Sequence, residues 1–331
     1  MLSEKQDTLT IFYWLGQWIM SGIRSPYEVV CDYSKAILGA ASKAFCNGRS
    51  LQNYVNDCFK ALNGHDEYLP TTYIRIDVAH VIKIFCRIKH FSGIKNNSLK
   101  QFYVRGIRLL LTSDTFKEFN CILEALFTII LSETDGRCVG KGIIETPSEI
   151  SRQLILENIR GLSSEKTLIY DIEADNDLTF YLNDENYENI DNYIHEEGIS
   201  YMDEYLKQIY EKSKSNSEIE GDRLLAYFLP DLAKTLLRLC KDFPLWTNVM
   251  RKKFNSPYNI ASSVVVENDF KELKTQILKF EIRPMTADKF IITHLNNIES
   301  NVKLLKSSLE RASQVSKDNF SAENTEKKNS N

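Results

Sequence analysis

Four side chains in this sequence have the types and the order of a nuclease-like metal site: Asp32, Asp77, His80 and Glu267. Asp32 closes the apolar run Val29-Val30-Cys31. Ile74-Arg75-Ile76-Asp77-Val78-Ala79-His80 is a second apolar run, and it ends in Asp-x-x-His. Far downstream, Ser262-Ser263-Val264-Val265-Val266-Glu267 opens an expected helix. One carboxylate that such a site needs is not visible. Each residue also has a plain structural role open to it. Asp32 could cap the helix that begins near Ser34, and Asp77 and His80 could be a strand-end cap and a helix-start residue. Glu267 could be a first-turn Glu favoured by the helix dipole.

The elements that must position these residues can be read from periodicity and turn chemistry. Leu9 to Gly22 reads as a helix, ended by Gly22 and Pro26. Tyr27 to Asp32 is a short buried strand. Ser34 is the N-cap of a helix over Lys35 to Cys46, and Ser50 starts another to about Leu62. Thr72 to Val78 is β-branched and alternating, so it is a second strand. His80 to His90 follows at once as a helix. The pattern is α/β, with two neighbouring parallel strands. Beyond Leu99 the chain reads as helical: Phe102–Leu111, Phe116–Leu131, Ser148–Ile159, Tyr201–Lys212 and Leu224–Leu239. Gly136 to Gly142 reads as a loop, Lys212 to Glu220 as a flexible link, and Phe243–Trp246 as an aromatic turn belonging to the core. Two late helices are expected, Val264–Lys279 and Asp288 to about Ala312. The second has apolar residues at Phe290, Ile291, Leu295, Ile298, Val302 and Leu305. The Ser/Asn/Lys/Glu-rich tail from Ser313 is expected to be disordered.

With 331 residues and 43% hydrophobic content, the chain can bury a sizeable core. No apolar run reaches the length of a membrane span, and the start has no basic leader; an intracellular protein is expected. Seven cysteines without CxxC spacing read as reduced, buried thiols rather than a zinc site. The net charge of -4 is unevenly spread. Residues 165–222 carry 17 acids against 4 bases, whereas 81–113 hold Lys83, Arg87, Lys89, Lys95, Lys100, Arg105 and Arg108 with no acid. The basic stretch could contact phosphates or be the solvated faces of two amphipathic helices.

Here the motifs resemble a known family. Pro26-Tyr27-Glu28-Val29-Val30-Cys31-Asp32-Tyr33-Ser34-Lys35-Ala36 looks like the second-acid motif of Mutator-like DDE transposases. Asp77-Val78-Ala79-His80 resembles the C/D-x-x-H motif of Mutator-like, hAT and related transposases. The segment around Glu267 is similar to the helix that bears the last acid. The resemblance covers roughly residues 10 to 280. It implies a partial RNase H-like (retroviral-integrase-like) core with a large all-helical insertion, in a predominantly helical chain. It implies that Asp32 and Glu267 hold Mg²⁺ or Mn²⁺ if any activity remains, with Asp77 and His80 shaping the site. Two such ions would activate the attacking oxygen and stabilise the leaving one. It further implies a nuclear protein with DNA as a partner.

The family's first catalytic Asp should lie on a strand well before Asp32. The preceding residues offer only Glu4, Asp7 and Glu28 and read as a helix, so the chain looks like a transposase truncated at its start and unable to cleave DNA alone. A sheet so shortened would expose an edge. The helix with Phe12, Tyr13, Trp14 and Trp18 would cover it, or the chain would self-associate. The expected organisation is 1–98 for the first part of the core, 99–255 for the helical insertion, 256–312 for return helices with Glu267, and 313–331 for the tail. The competing reading is a helical interaction or scaffold protein with no nucleic-acid role. Its partner surfaces would be the acidic segment and the apolar helices.

Overall fold

In the computed structural model, which describes residues 7–91, 97–140, 144–162, 201–279 and 286–328, the two expected strands form and pair in parallel. α1 (Thr8–Met20) is capped by Asp7, whose carboxylate accepts from the Thr10 N–H at 2.8 Å. β1 (Glu28–Cys31) leads to α2 (Lys35–Phe45), capped by Ser34, and α3 (Leu51–Leu62) is capped by Ser50. β2 (Tyr73–Ile76) is fully buried and runs into α4 (Val78–Cys86). The β1–β2 register is Glu28↔Tyr73 through Cys31↔Ile76.

The outer edge of β2 is not left open. The Ile74 N–H donates to the Tyr54 hydroxyl of α3 at 2.8 Å, and that hydroxyl donates to the Thr72 carbonyl at 3.2 Å. A buried side chain thus takes the place of a third strand at this position. α1 packs on α2 through Ile11 and Leu15, and Trp18 meets Phe45 edge-on. The expected aromatic cover is partial, because Tyr13 and Trp14 point to solvent.

α5 (Asn97–Thr112), α6 (Phe116–Leu131), α7 (Pro147–Leu162), α8 (Tyr201–Ser217), α9 (Asp231–Cys240) and the short α10 (Phe243–Trp246) pack around the same core as the strands. Phe119 stacks on Phe243, and Phe59 meets both Phe116 and Phe243 edge-on. The aromatic turn is therefore a helical turn of the core, with Trp246 buried as expected.

Several expectations are corrected. β3 (Thr134–Cys138) and β4 (Gly221–Leu224) form an antiparallel pair where a loop and the start of a helix were expected. Their polar residues carry no alternation, and the partners lie far apart in sequence. The pair closes so tightly that a Cβ at Gly221 would fall 2.0 Å from the Asp135 carbonyl oxygen. The apolar helix expected from Leu224 begins only at Asp231, because Pro230 cannot continue a helix from its N-terminal side. α8 runs on to Ser217 through the expected flexible link. Cys121 is exposed, although all seven thiols are free.

The chain divides into two compact units, the first ending at Ser263 and the second beginning at Val264. The second holds α11 (Val264–Glu272), a π-helical turn (Leu273–Ile277) and α12 (Ala287–Lys328). The tail expected to be disordered is helical to Lys328; it contains neither Gly nor Pro before that point. The architecture is predominantly helical. Among the described residues no helix is long and apolar enough to cross a membrane. Most of the acidic 165–222 segment lies outside the described residues.

Candidate functional site

Parallel pairing in this register puts the residues after Cys31 and Ile76 side by side, so Asp32 and Asp77 share the carboxyl end of the two strands. The Asp77 N–H donates to the Cys31 carbonyl at 2.9 Å and fixes that alignment. In open α/β sheets, the crevice beyond the carboxyl ends of the strands is where ligands gather.

The two carboxylates have opposite environments. Asp77 is buried, and both its oxygens are occupied. Oδ1 accepts from the N–H groups of Ala79 (2.7 Å) and His80 (3.2 Å), which makes Asp77 the N-cap of α4. Oδ2 accepts from the Ser263 N–H and, at 2.8 Å, from the Ser263 hydroxyl. The neighbouring Val78 N–H donates to the Ala261 carbonyl at 3.0 Å. Burial opposes the charge on Asp77, but the donors from His80 and Ser263 outweigh it and hold the carboxyl far below the usual carboxylate range. The capping role left open for Asp77 is what the structure contains, with a second role beyond it: Asp77 clamps the segment that feeds α11.

Asp32 is different. Ser34 caps α2, so Asp32 is not used as a cap. Its side chain is 58% exposed, and no donor among the described residues lies within hydrogen-bond distance of it. His80 stands between the two acids, with Nε2 at 3.5 Å from Asp32 Oδ1 and Nδ1 at 3.6 Å from Asp77 Oδ1. Both separations are long for a hydrogen bond, and the His80 ring lies within ion-pair distance of both acids.

The donor chemistry divides accordingly. Asp32 offers open carboxylate oxygens suited to a hard cation such as Mg²⁺. The two Asp77 oxygens already accept four protein hydrogen bonds. The Cys31 thiol beside Asp32 is pushed up to about 12, by burial first and by the Asp32 charge second, so it offers no thiolate. Glu267 is exposed in the first turn of α11, in the second unit.

The basic stretch lies on α4 and α5. Lys83 and Arg87 follow His80 at three- and seven-residue spacing, one stripe along α4. Lys100, Arg105 and Arg108 are on α5, which packs against α4. None of these five cations makes an ion pair among the described residues. Lys95 and the Lys89 side chain lie outside what the structure describes.

Three polar clusters were not anticipated. Arg75, read as part of an apolar strand, is buried and donates to Glu28 (3.0 Å), Asn248 (2.8 Å) and the Tyr258 carbonyl (2.9 Å). It binds both strands to the segment that returns toward Ser263. Asp242 accepts from the Tyr33 hydroxyl at 2.8 Å, and burial pushes its carboxyl up against the pull of Lys35. Asp135 and Glu149 join Arg152 and Arg223 in a four-residue ion cluster that holds β3, β4 and α7 together. A pairing signal exists only for Glu149 and Arg152, at i,i+3. The others meet across distances no local pattern encodes.

The fold and site thus define a helix-rich α/β protein with one engaged and one open aspartate at the end of a parallel strand pair. No protein-family model matches the chain, and no solved structure matches it. It is similar over 99% of its length to the 120.7 kDa protein in the NOF-FB transposable element of Drosophila melanogaster, with 35% identity over 335 residues. The chain spans 30% of that protein's length. The similarity ties this chain to a transposable-element protein.

Proposed function

We propose that this is a transposon-derived protein bearing part of a DDE-type transposase core of the Mutator-like kind. The observation that carries the reading is the placement of Asp32 beside Asp77 at the carboxyl end of two parallel strands, in a chain similar throughout to a transposable-element protein. Asp32 and Glu267 would hold Mg²⁺ or Mn²⁺, which supplies activation of the attacking oxygen and charge neutralisation at the leaving one. Asp77 and His80 position rather than ligate. Ser263 is clamped to Asp77, and Glu267 follows it four positions along the chain. DNA, in the nucleus, would be the partner, with its backbone running along Lys83, Arg87, Lys100, Arg105 and Arg108.

Two carboxylates are too few to hold a metal pair, so the 331-residue chain alone does not cleave or join DNA. A plasmid-nicking assay in Mg²⁺ or Mn²⁺ tests this. No nicking is expected; nicking that disappears in Asp32→Ala and in Glu267→Ala overturns the proposal. For DNA binding, Lys83→Glu/Arg87→Glu should weaken affinity and lower the dependence of log affinity on log salt by about two contacts. Unchanged binding removes this surface from the reading and favours a scaffold with no nucleic-acid role.

A further inference from the structure

We infer that α12 is a self-association helix that pairs antiparallel with α12 of a second copy of this chain. Ile291, Leu295, Ile298, Val302, Leu305 and Leu309 are spaced alternately four and three residues apart. That is an a/d heptad seam, the pattern by which helices of matching pitch interlock. All six are exposed, from 44% at Ile298 to 70% at Leu309. In water a helix this long takes most of its stability from packing an apolar face, and this face is open.

The second unit also shows from which side the partner comes. α11 and the π-helical turn lie along one flank of the seam, where they and α12 line an open apolar groove of about 420 Å³. From α12 the groove is lined by His294, Asn297 and Asn301 together with the seam residues Ile298, Val302 and Leu305, and α11 adds the carboxylates of Asp269 and Glu272. The opposite flank, positions 292, 299 and 306, does not line it. There the sequence places Ile292, Glu299 and Lys306; the Glu299 side chain is 66% exposed and meets Lys303 of its own helix at 2.9 Å.

The charges select the occupant. Glu299 and Lys306 occupy equivalent heptad positions one repeat apart and have opposite signs. An antiparallel pair brings this flank of one helix against the same flank of the other, so each Glu299 faces the partner's Lys306. The surface is then self-complementary about a twofold axis, as an isologous interface requires. A parallel pair would set this flank against the one beside α11 and form neither Glu299–Lys306 pair.

The test is light scattering on the size-separated full chain across a concentration series, with circular dichroism to show that each variant is folded. The chain is expected to reach twice its 38.3 kDa mass. Leu295→Glu/Val302→Glu, at exposed positions, should remain at the single-chain mass with helicity retained. Lys306→Glu should weaken the dimer about tenfold by turning two surface attractions into repulsions. Adding Glu299→Lys should restore it, which a general loss of helix stability would not do. A single-chain mass at every concentration, or a dimer that survives the Leu295/Val302 variant, overturns the proposal. A Lys306→Glu defect that Glu299→Lys fails to rescue overturns the antiparallel pairing.

Discussion

Asp77→Ala should be among the more damaging single changes near the site, and its cost can be assembled from the donors it abandons. Loss of the α4 cap, made through the Ala79 and His80 N–H groups, costs about 1 kcal/mol. The two Ser263 donors end on a charged oxygen, and bonds to charged groups contribute about 1.5–3 kcal/mol each; Ser263 is only half-buried, so the lower figure applies. The total is about 4 kcal/mol. Asp77→Asn should cost less, because an Asn carbonyl can still cap α4 while its amide meets Ser263 donor to donor. Ser263→Ala removes one hydroxyl donor and should cost about 1 kcal/mol. Asp32→Ala, at an exposed side chain with only the long contact to His80, should stay within about 0.5 kcal/mol of the parent. Urea unfolding of the full chain, read as midpoints at constant slope, gives the series. The pH dependence carries the same logic. The folded carboxyl lies below its unfolded value of about 3.9. The parent's advantage over Asp77→Asn is therefore fully present above about pH 5 and shrinks as pH falls toward the folded value. A loss below about 0.5 kcal/mol in Asp77→Ala, or equal losses at Asp32 and Asp77, would refute the clamp.

Two further changes probe the frame. Arg75→Ala strands Glu28, Asn248 and the Tyr258 carbonyl in the core and should cost about 3–5 kcal/mol. A double-mutant cycle with Glu28→Gln should show strong coupling between the two sites. Gly221→Ala forces a methyl into the Asp135 carbonyl and should open the β3–β4 pair, costing about 1–3 kcal/mol. Hydrogen exchange at the Leu225 N–H, which donates to the Glu133 carbonyl beside that pair, should quicken selectively.

What the sequence made legible was local. The strands of Val29–Cys31 and Ile74–Ile76, the Ser34 and Ser50 caps and the parallel pairing follow from runs, caps and connection lengths, each decided within a few residues. β3 and β4 were hidden because Thr-Asp-Gly-Arg-Cys and Gly-Asp-Arg-Leu have no apolar face; ion pairs to Arg152 and Glu149 hold them instead. Arg75 was hidden because its partners at 28, 248 and 258 share no pattern with it. At the site the sequence distinguished the residue types but not their states. Asp32 and Asp77 each follow an apolar run and look alike, yet one is open and the other filled. The difference is made by Ser263, a residue with no signal of its own at 186 positions' remove.

That difference assigns the labour within the Asp-x-x-His segment. The carboxylate of Asp77 is engaged by Ala79, His80 and Ser263, so a cation there would compete with the α4 cap or the clamp on residue 263. Either loss would release the segment entering α11. Asp77 therefore has a structural duty that Asp32 lacks. It sets the register of β2 against β1, orients the start of α4 with its His80–Lys83–Arg87 stripe, and tethers the entry to α11. Asp32, free of any such duty, is the group that remains available. If this division is right, metal affinity and fold stability separate by residue. Asp32→Ala should abolish Mn²⁺-dependent changes in the protein's signal without moving the unfolding midpoint, while Asp77→Asn should move the midpoint first.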